Sequence, residues 1–230
     1  MQMPEHFSEW NEEMVARHDP EAFHQHTRGV VRFIEGVRVR QTLELLGVAA
    51  EHRVLDAGCG AGHMLEHLQA RERHGLDLSR RMVKRARKRL GAGVAVVHGD
   101  AEKLPYRDAR FDRVLCSSVL SHVLRPERVL AECWRVLKPG GRLAVSVSHE
   151  DAIERGIRWA RVLGLGGLLL GANANATTAG DHVYASEYHL HHFDLNLLRE
   201  AAAALPPERA LKKVPTFLYP VHLLAVYEKA

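Results

Sequence analysis

Arg53-Val54-Leu55-Asp56-Ala57-Gly58-Cys59-Gly60-Ala61-Gly62 is the stretch on which the reading turns. Its first five residues read as a short strand. The glycines that follow let the backbone turn sharply into a helix whose free N–H groups face the carboxyl end of the sheet. Ligands of open α/β sheets bind at that end. Outward from this stretch, short apolar runs alternate with helical patterns, the mark of stacked βα units and a largely parallel sheet. Further strands are expected at His74–Leu78, Val94–His98, Phe111–Ser117 and Arg142–Ser148. Helices are expected from about Gly62 to Arg71, from a Ser79 cap to Leu90, and from about Pro126 to Leu137. Lys138-Pro139-Gly140-Gly141 reads as a turn that launches strand five. Asp194 should cap a last helix through Ala204, and runs near Ala210–Leu218 and Val221–Glu228 follow so closely that they must pair antiparallel.

The rest of the chain is organised around that body. Residues 1–48 carry helical patterns broken near Pro20 and read as an N-terminal helical cover over a body at 49–230. After strand five the rhythm breaks, and 151–192 reads as a lid-like insertion. The 230 residues, 46% hydrophobic and 26% charged, exclude disordered, collagen-like and disulfide-scaffold classes. Three cysteines without a CxxC spacing and no visible signal peptide suggest reduced thiols and a cytoplasmic setting. Leu163–Ala172 is too short for a membrane helix. The net charge of +4 is local: Arg71–Leu90 holds nine basic residues against Glu72 and Asp77. That pattern reads as a solvated helix face, so a nucleic-acid partner is not expected.

Three acids end three successive strands: Asp56, then Asp77 twenty-one residues on, then Asp100 in His98-Gly99-Asp100-Ala101-Glu102. An acid at the tip of strand two is placed to accept hydrogen bonds from a ribose diol. An acid just ahead of the glycine turn suits an amino group and is poor company for a pyrophosphate. Together the three describe a nucleoside site. This arrangement resembles the class I S-adenosylmethionine-dependent methyltransferases, within the broad group that includes ubiquinone- and menaquinone-biosynthesis enzymes. The matching segments are Val54–Gly62, Gly75-Leu76-Asp77-Leu78-Ser79, Gly99–Pro105, Phe111-Asp112 and Leu137–Gly141, in that order.

The resemblance implies a Rossmann-like, doubly wound, seven-stranded sheet, mostly parallel with an antiparallel C-terminal strand. It implies S-adenosyl-L-methionine as cofactor and S-adenosyl-L-homocysteine as product. By the same likeness, Gly58, Cys59 and Gly60 contact the methionine part through their backbone, and Asp56 partners its amino group. Asp77 holds the ribose hydroxyls, with Leu78 and Met82 against the adenine. Asp100 and the Ala101 backbone read the adenine edge, while Cys116 and Ser117 lie near the sulfonium. No metal is called for.

Methyl transfer from a sulfonium is an in-line displacement, so the protein must align the groups, exclude water and often remove a proton. His122, just past strand four, is the first candidate for base or orienter, and His149 at the end of strand five is the second. Half of the sixteen histidines lie in the flanking segments, among them His182, His189, His191 and His192. His189 and His191 would share one face if that segment is extended, and could serve as base or bind a polar substrate. Cys116-Ser117-Ser118-Val119 lacks the Asn/Asp-Pro-Pro-aromatic pattern associated with methylation of amide or base nitrogens. The expectation is therefore a small-molecule methyltransferase in a biosynthetic pathway, acting at a hydroxyl oxygen. The alternatives are an RNA or other macromolecule methyltransferase that grips phosphate with helix 79–90, and a binding protein that keeps the cofactor fold without turnover.

Overall fold

The computed structural model describes residues 6–19, 29–162, 164, 188–215 and 220–230. Strands β1 (Arg53–Ala57), β2 (Glu72–Asp77), β3 (Ala95–His98), β4 (Phe111–Ser117), β5 (Leu137–Ser148), β6 (Ala210–Pro215) and β7 (Pro220–Glu228) form one sheet in the order β3-β2-β1-β4-β5-β7-β6. β1 to β5 are parallel, and β7 runs antiparallel to both β5 and β6. The expected Rossmann-like architecture is present. The helices are α1 (Phe7–His18), α2 (Gly29–Leu46), α3 (His63–Glu66), α4 (Arg80–Leu90), α5 (Pro126–Val136), α6 (Glu150–Val162) and α7 (Leu195–Ala201).

Neighbouring residues on each inner strand serve opposite faces, which is why these strands read as continuous apolar runs. Leu55, Val114, Val145 and Ala225 pack with Val129, Leu130 and Cys133 of α5 and Leu198 of α7. Val54, Leu115, Ala144 and Val226 pack on the other face with Leu46 of α2, Leu65 of α3, and Val83 and Ala86 of α4. Ser79 caps α4 by accepting from the Met82 amide, and Asp194 caps α7 by accepting from the Leu197 amide. Both caps agree with the sequence.

Some boundaries differ for physical reasons. The helix expected to reach Arg71 stops at Glu66, and the Arg73 guanidinium takes the carbonyls of Leu65 and Leu68, satisfying the end of the turn. Lys138–Gly141 does not precede β5 but bulges within it, between the pairs Phe111–Leu137 and Arg113–Arg142. The bulge is pinned by Gly140 and Gly141 to Lys229. Most of the lid expected at 151–192 lies outside the described residues; its first part is α6. No helix among the described residues is long and apolar enough to cross a membrane.

Candidate active site

The strand order reverses between β1 and β4, so the two chain crossovers leave in opposite directions and open a crevice at the carboxyl ends of these strands. The glycine turn after β1 occupies one lip. Gly58 has φ +84° and an added Cβ would lie 2.3 Å from Val119 Cγ2, so the turn and the segment after β4 can meet only if this residue has no side chain. Gly58→Ala should cost about 2–4 kcal/mol of stability, read from urea unfolding, because it combines an unfavourable φ with overpacking.

The turn is laced to the end of β2. The amides of Gly58 and Cys59 both donate to Leu76 O, at 2.7 and 2.9 Å, and the Gly60 amide donates to Asp77 Oδ2 at 2.8 Å. Asp77 Oδ1 accepts from the Ser79 amide at 2.9 Å. Burial raises the Asp77 pKa, and those two amide bonds work against the rise. The amides that would cradle a pyrophosphate are thus already engaged, in keeping with the acid that precedes the turn.

Asp56 is 1% exposed, and its Oδ1 has no hydrogen-bond partner among the described residues. Burial, followed by repulsion from Asp77, pushes its carboxyl up to about 7, while Arg38 pulls the other way. A buried acceptor left unpaired is costly. Such a group at a ligand crevice is suited to a buried cationic donor.

The remaining residues expected from the sequence divide in placement. Leu78 is half-buried beside the crevice, and its carbonyl meets His98 Nε2 at 2.9 Å. Met82 is buried with Ala61, Met14 and Val15 of α1, and Tyr188. Ala101 is buried, whereas Asp100 is exposed and accepts from the Glu102 amide at 2.8 Å. Ser117 stands at the β4 tip, but Cys116 does not join it. Strand alternation turns Cys116 into the opposite core beside Cys133, wholly buried. The Cys59 side chain likewise packs inward, against Gly75, leaving only its backbone at the turn.

His122 closes the crevice from the β4 side. Its ring lies 4.2 Å from Tyr188 and 4.5 Å from His189, centroid to centroid. Its Nδ1 is 3.1 Å from Tyr188 O, and because a carbonyl only accepts, Nδ1 carries the proton and Nε2 the lone pair. Loss of hydration and then the neighbouring His189 push the His122 pKa down to about 3, against the pull of that hydrogen bond. His189 and His191 do not share a strand face. The amides of Leu190 and His191 both turn to Ser121 O, so the segment bends, and His191 Nε2 meets Val123 O at 3.0 Å, away from His122. His149 sits at the start of α6, where its Nδ1 accepts from the Ala152 amide at 3.4 Å. His192 is exposed, and His182 lies outside the described residues.

Sequence reasoning missed a buried polar network carried by α2. Arg38 is 5% exposed and donates from Nε and Nη2 to Glu35 Oε2, at 3.1 and 2.8 Å. Its Nη1 donates to Ser117 Oγ at 2.7 Å and Ser146 Oγ at 3.4 Å. The other Glu35 oxygen lies 2.8 Å from His222 Nε2 on β7. Arg38 and His222 hold the Glu35 carboxyl far below its ordinary range despite its burial. Arginine in a helix ordinarily reads as an outward residue, and the i, i+3 pair of Glu35 with Arg38 looks like any surface ion pair until the helix is docked.

The basic helix α4 is partly occupied by the fold itself. Glu12 of α1 accepts from the Arg80 and Arg81 amides at its N-terminus, Arg85 pairs with Asp19, and Arg87 donates to Val96 O. These bonds hold α1 against the body.

The comparisons agree with this geometry. A family profile described as a methyltransferase domain matches residues 55–145, the span from β1 into β5. Over that span the chain resembles the class I S-adenosylmethionine-dependent methyltransferases. The domain is 40% identical over 112 residues to the demethylmenaquinone methyltransferase of Clavibacter sepedonicus, a match that covers 47% of this chain and 45% of that protein. It is 39% identical over 119 residues to the malonyl-[acyl-carrier protein] O-methyltransferase of Methylococcus capsulatus, covering 49% and 43%. The chain thus spans less than half the length of these relatives. The likeness in fold extends beyond the matched span: an S-adenosylmethionine-dependent methyltransferase of Thermotoga maritima, described as a possible histamine N-methyltransferase, superposes over 98% of this chain and 100% of its own, with TM-score 0.65 at 20% identity.

Proposed function

We propose that the chain transfers a methyl group from S-adenosylmethionine to a hydroxyl oxygen of a small biosynthetic intermediate. The observation that carries the cofactor reading is the Oδ1 of buried Asp56 at the switch point, unpaired among the described residues, an acceptor that the ammonium of the cofactor would satisfy. At Gly60 an added Cβ would meet nothing within 4 Å, so the turn leaves open space on that side for a ligand. Bound there, the cofactor supplies a methyl group on a positively charged sulfur, already electrophilic.

The chain's own residues then bind and orient. Asp77 would hold the ribose hydroxyls through lone pairs left over from its two amide bonds, with Leu78 and Met82 along the adenine. Asp100 and the Ala101 backbone would read the adenine edge, and the Gly58–Gly60 backbone would follow the methionine chain. His122 is neutral with its lone pair on Nε2, and in that form it can accept a hydrogen bond from an acceptor hydroxyl and orient its oxygen toward the methyl group. His189 would line the acceptor side next to it; His149 and His191, each tied to backbone, would shape that wall rather than move protons. An oxygen acceptor is supported by the sequence after β4.

Calorimetric titration with S-adenosylhomocysteine tests the first step, and absence of binding at high micromolar concentration would reject the cofactor assignment. Asp77→Ala should weaken that binding by about 1–3 kcal/mol from lost ribose bonds, and by more if the released Gly60 amide loosens the turn. Asp77→Asn keeps one acceptor and should lose less. Equal losses in the two variants would show that Asp77 does not face the ribose.

A further inference from the structure

We infer that Arg38, from a helix outside the matched domain span, makes the Ser117 hydroxyl an oriented donor for the carboxylate of the cofactor's amino-acid end, beside the ammonium taken by Asp56. The inference rests on the cofactor reading above. It starts from where the hydrogens around two serines must go. Arg38 Nη1 donates to both Ser117 Oγ and Ser146 Oγ, and the two hydroxyls lie 2.7 Å apart. One serine therefore donates to the other, and one hydroxyl hydrogen remains to be placed. Ser146 is 0% exposed, and Ser117 Oγ is the acceptor its hydroxyl finds among the described residues. Ser117, half-buried at the β4 tip, then accepts from Arg38 and from Ser146 and must direct its own hydrogen outward. A hydroxyl that accepts from a guanidinium is polarised into a stronger donor.

The register places this donor next to Asp56. Asp56 pairs with Leu115 across β1 and β4, and Ser117 lies two residues further along the same face. With about 3.3 Å per residue and about 4.8 Å between strands, the two Cα atoms are about 8 Å apart. Both side chains leave the same face of the sheet, and a spacing of about 8 Å between their Cα atoms is of the size that an amino-acid head group can bridge. An unpaired acid on one side and an oriented donor on the other is a recognition pattern for a zwitterion. Glu35 neutralises most of the Arg38 charge and is itself held by His222, so the network fixes direction more than it attracts anions. Arg38 is a positioning residue in this scheme and Ser117 the one that touches the ligand.

The test compares S-adenosylmethionine with its decarboxylated analogue, which keeps the amino group and the sulfonium but has no carboxylate. By calorimetry, Ser117→Ala should weaken binding of S-adenosylmethionine roughly tenfold or more and leave the analogue within about twofold. Ser117→Thr, which keeps the hydroxyl, should restore the preference. Arg38→Lys should show the same selective loss. Equal losses for both ligands, or no loss for S-adenosylmethionine in Ser117→Ala, would overturn the inference while leaving the cofactor assignment intact. A wild-type protein that binds neither ligand would overturn both.

Discussion

Asp56→Asn is expected to lower affinity for S-adenosylhomocysteine by about 30-fold or more and, at the same time, to raise the unfolding temperature of the free protein. The two effects share one cause. The Asp56 carboxylate is buried, lacks a partner for Oδ1 among the described residues and feels Asp77 nearby, so its charged form is held in the fold at a cost that Arg38 only partly offsets. Its pKa, up from 3.8 to about 7, marks a penalty on the order of a few kcal/mol once the group is ionised. A carboxyl whose folded pKa lies above its unfolded value loses stability as pH rises through the interval between them. The free protein should therefore lose stability from about pH 4 to 7 through this residue and be level above it. The Asp56→Asn variant should show no such slope, so the gap in unfolding temperature between variant and wild type widens as pH rises from about 5 to 7. Cofactor affinity should run the other way. It needs the ionised carboxylate to meet an ammonium, so it should strengthen as pH rises to about 7 in wild type and stay flat in the Asp56→Asn variant. Calorimetry and thermal melts at about pH 5, 6, 7 and 8 measure both effects across that window. A variant that binds like wild type would remove Asp56 from the site.

His122→Ala is expected to lower the rate of methyl transfer by about 10²-fold, the cost of a misplaced acceptor, with cofactor affinity within about twofold of wild type. Labelled S-adenosylmethionine and a panel of phenolic and aliphatic hydroxyl acceptors provide the assay. The pH dependence separates this role from an ordinary histidine. With its pKa pushed down to about 3, first by burial and then by His189, the imidazole stays neutral across about pH 5–8. No limb from His122 should enter the turnover profile in that range, whereas Asp56 should contribute one near pH 7 through cofactor binding. A turnover limb near about pH 6.5 that vanishes in the variant would contradict the buried, neutral state. Unaltered turnover in His122→Ala would leave the residue as packing for Tyr188 and His189.

Much of the fold was legible because it is written locally. β1 and β4 fall at the residues the apolar runs predict, the Ser79 and Asp194 caps hold their amides, and the closing strands pair antiparallel. Element ends were less legible, since they depend on distant groups. The Arg73 side chain shortens α3, and Lys229 holds the glycine bulge inside β5. Among site residues, Ser117 reaches the crevice as its position at a strand tip implies, while its neighbour Cys116 faces the core. Only the pleat decides between adjacent residues. The expected facing of His189 and His191 failed because the amides of Leu190 and His191 are drawn to Ser121 O, which bends a segment that periodicity alone would leave straight.

By itself, the sequence determined the βα order, the glycine turn and the three acids at successive strand tips, because period, turn chemistry and spacing act over a few residues. The tertiary structure alone decided what those residues experience. Arg38 reaches Ser117 across 79 positions and Ser146 across 108, and a helical arginine reads as solvent-facing until the helix that carries it is docked. The unpaired oxygen of Asp56 is likewise a property of packing: whether a buried acceptor finds a donor depends on every element closing around it, and no stretch of chain records that count.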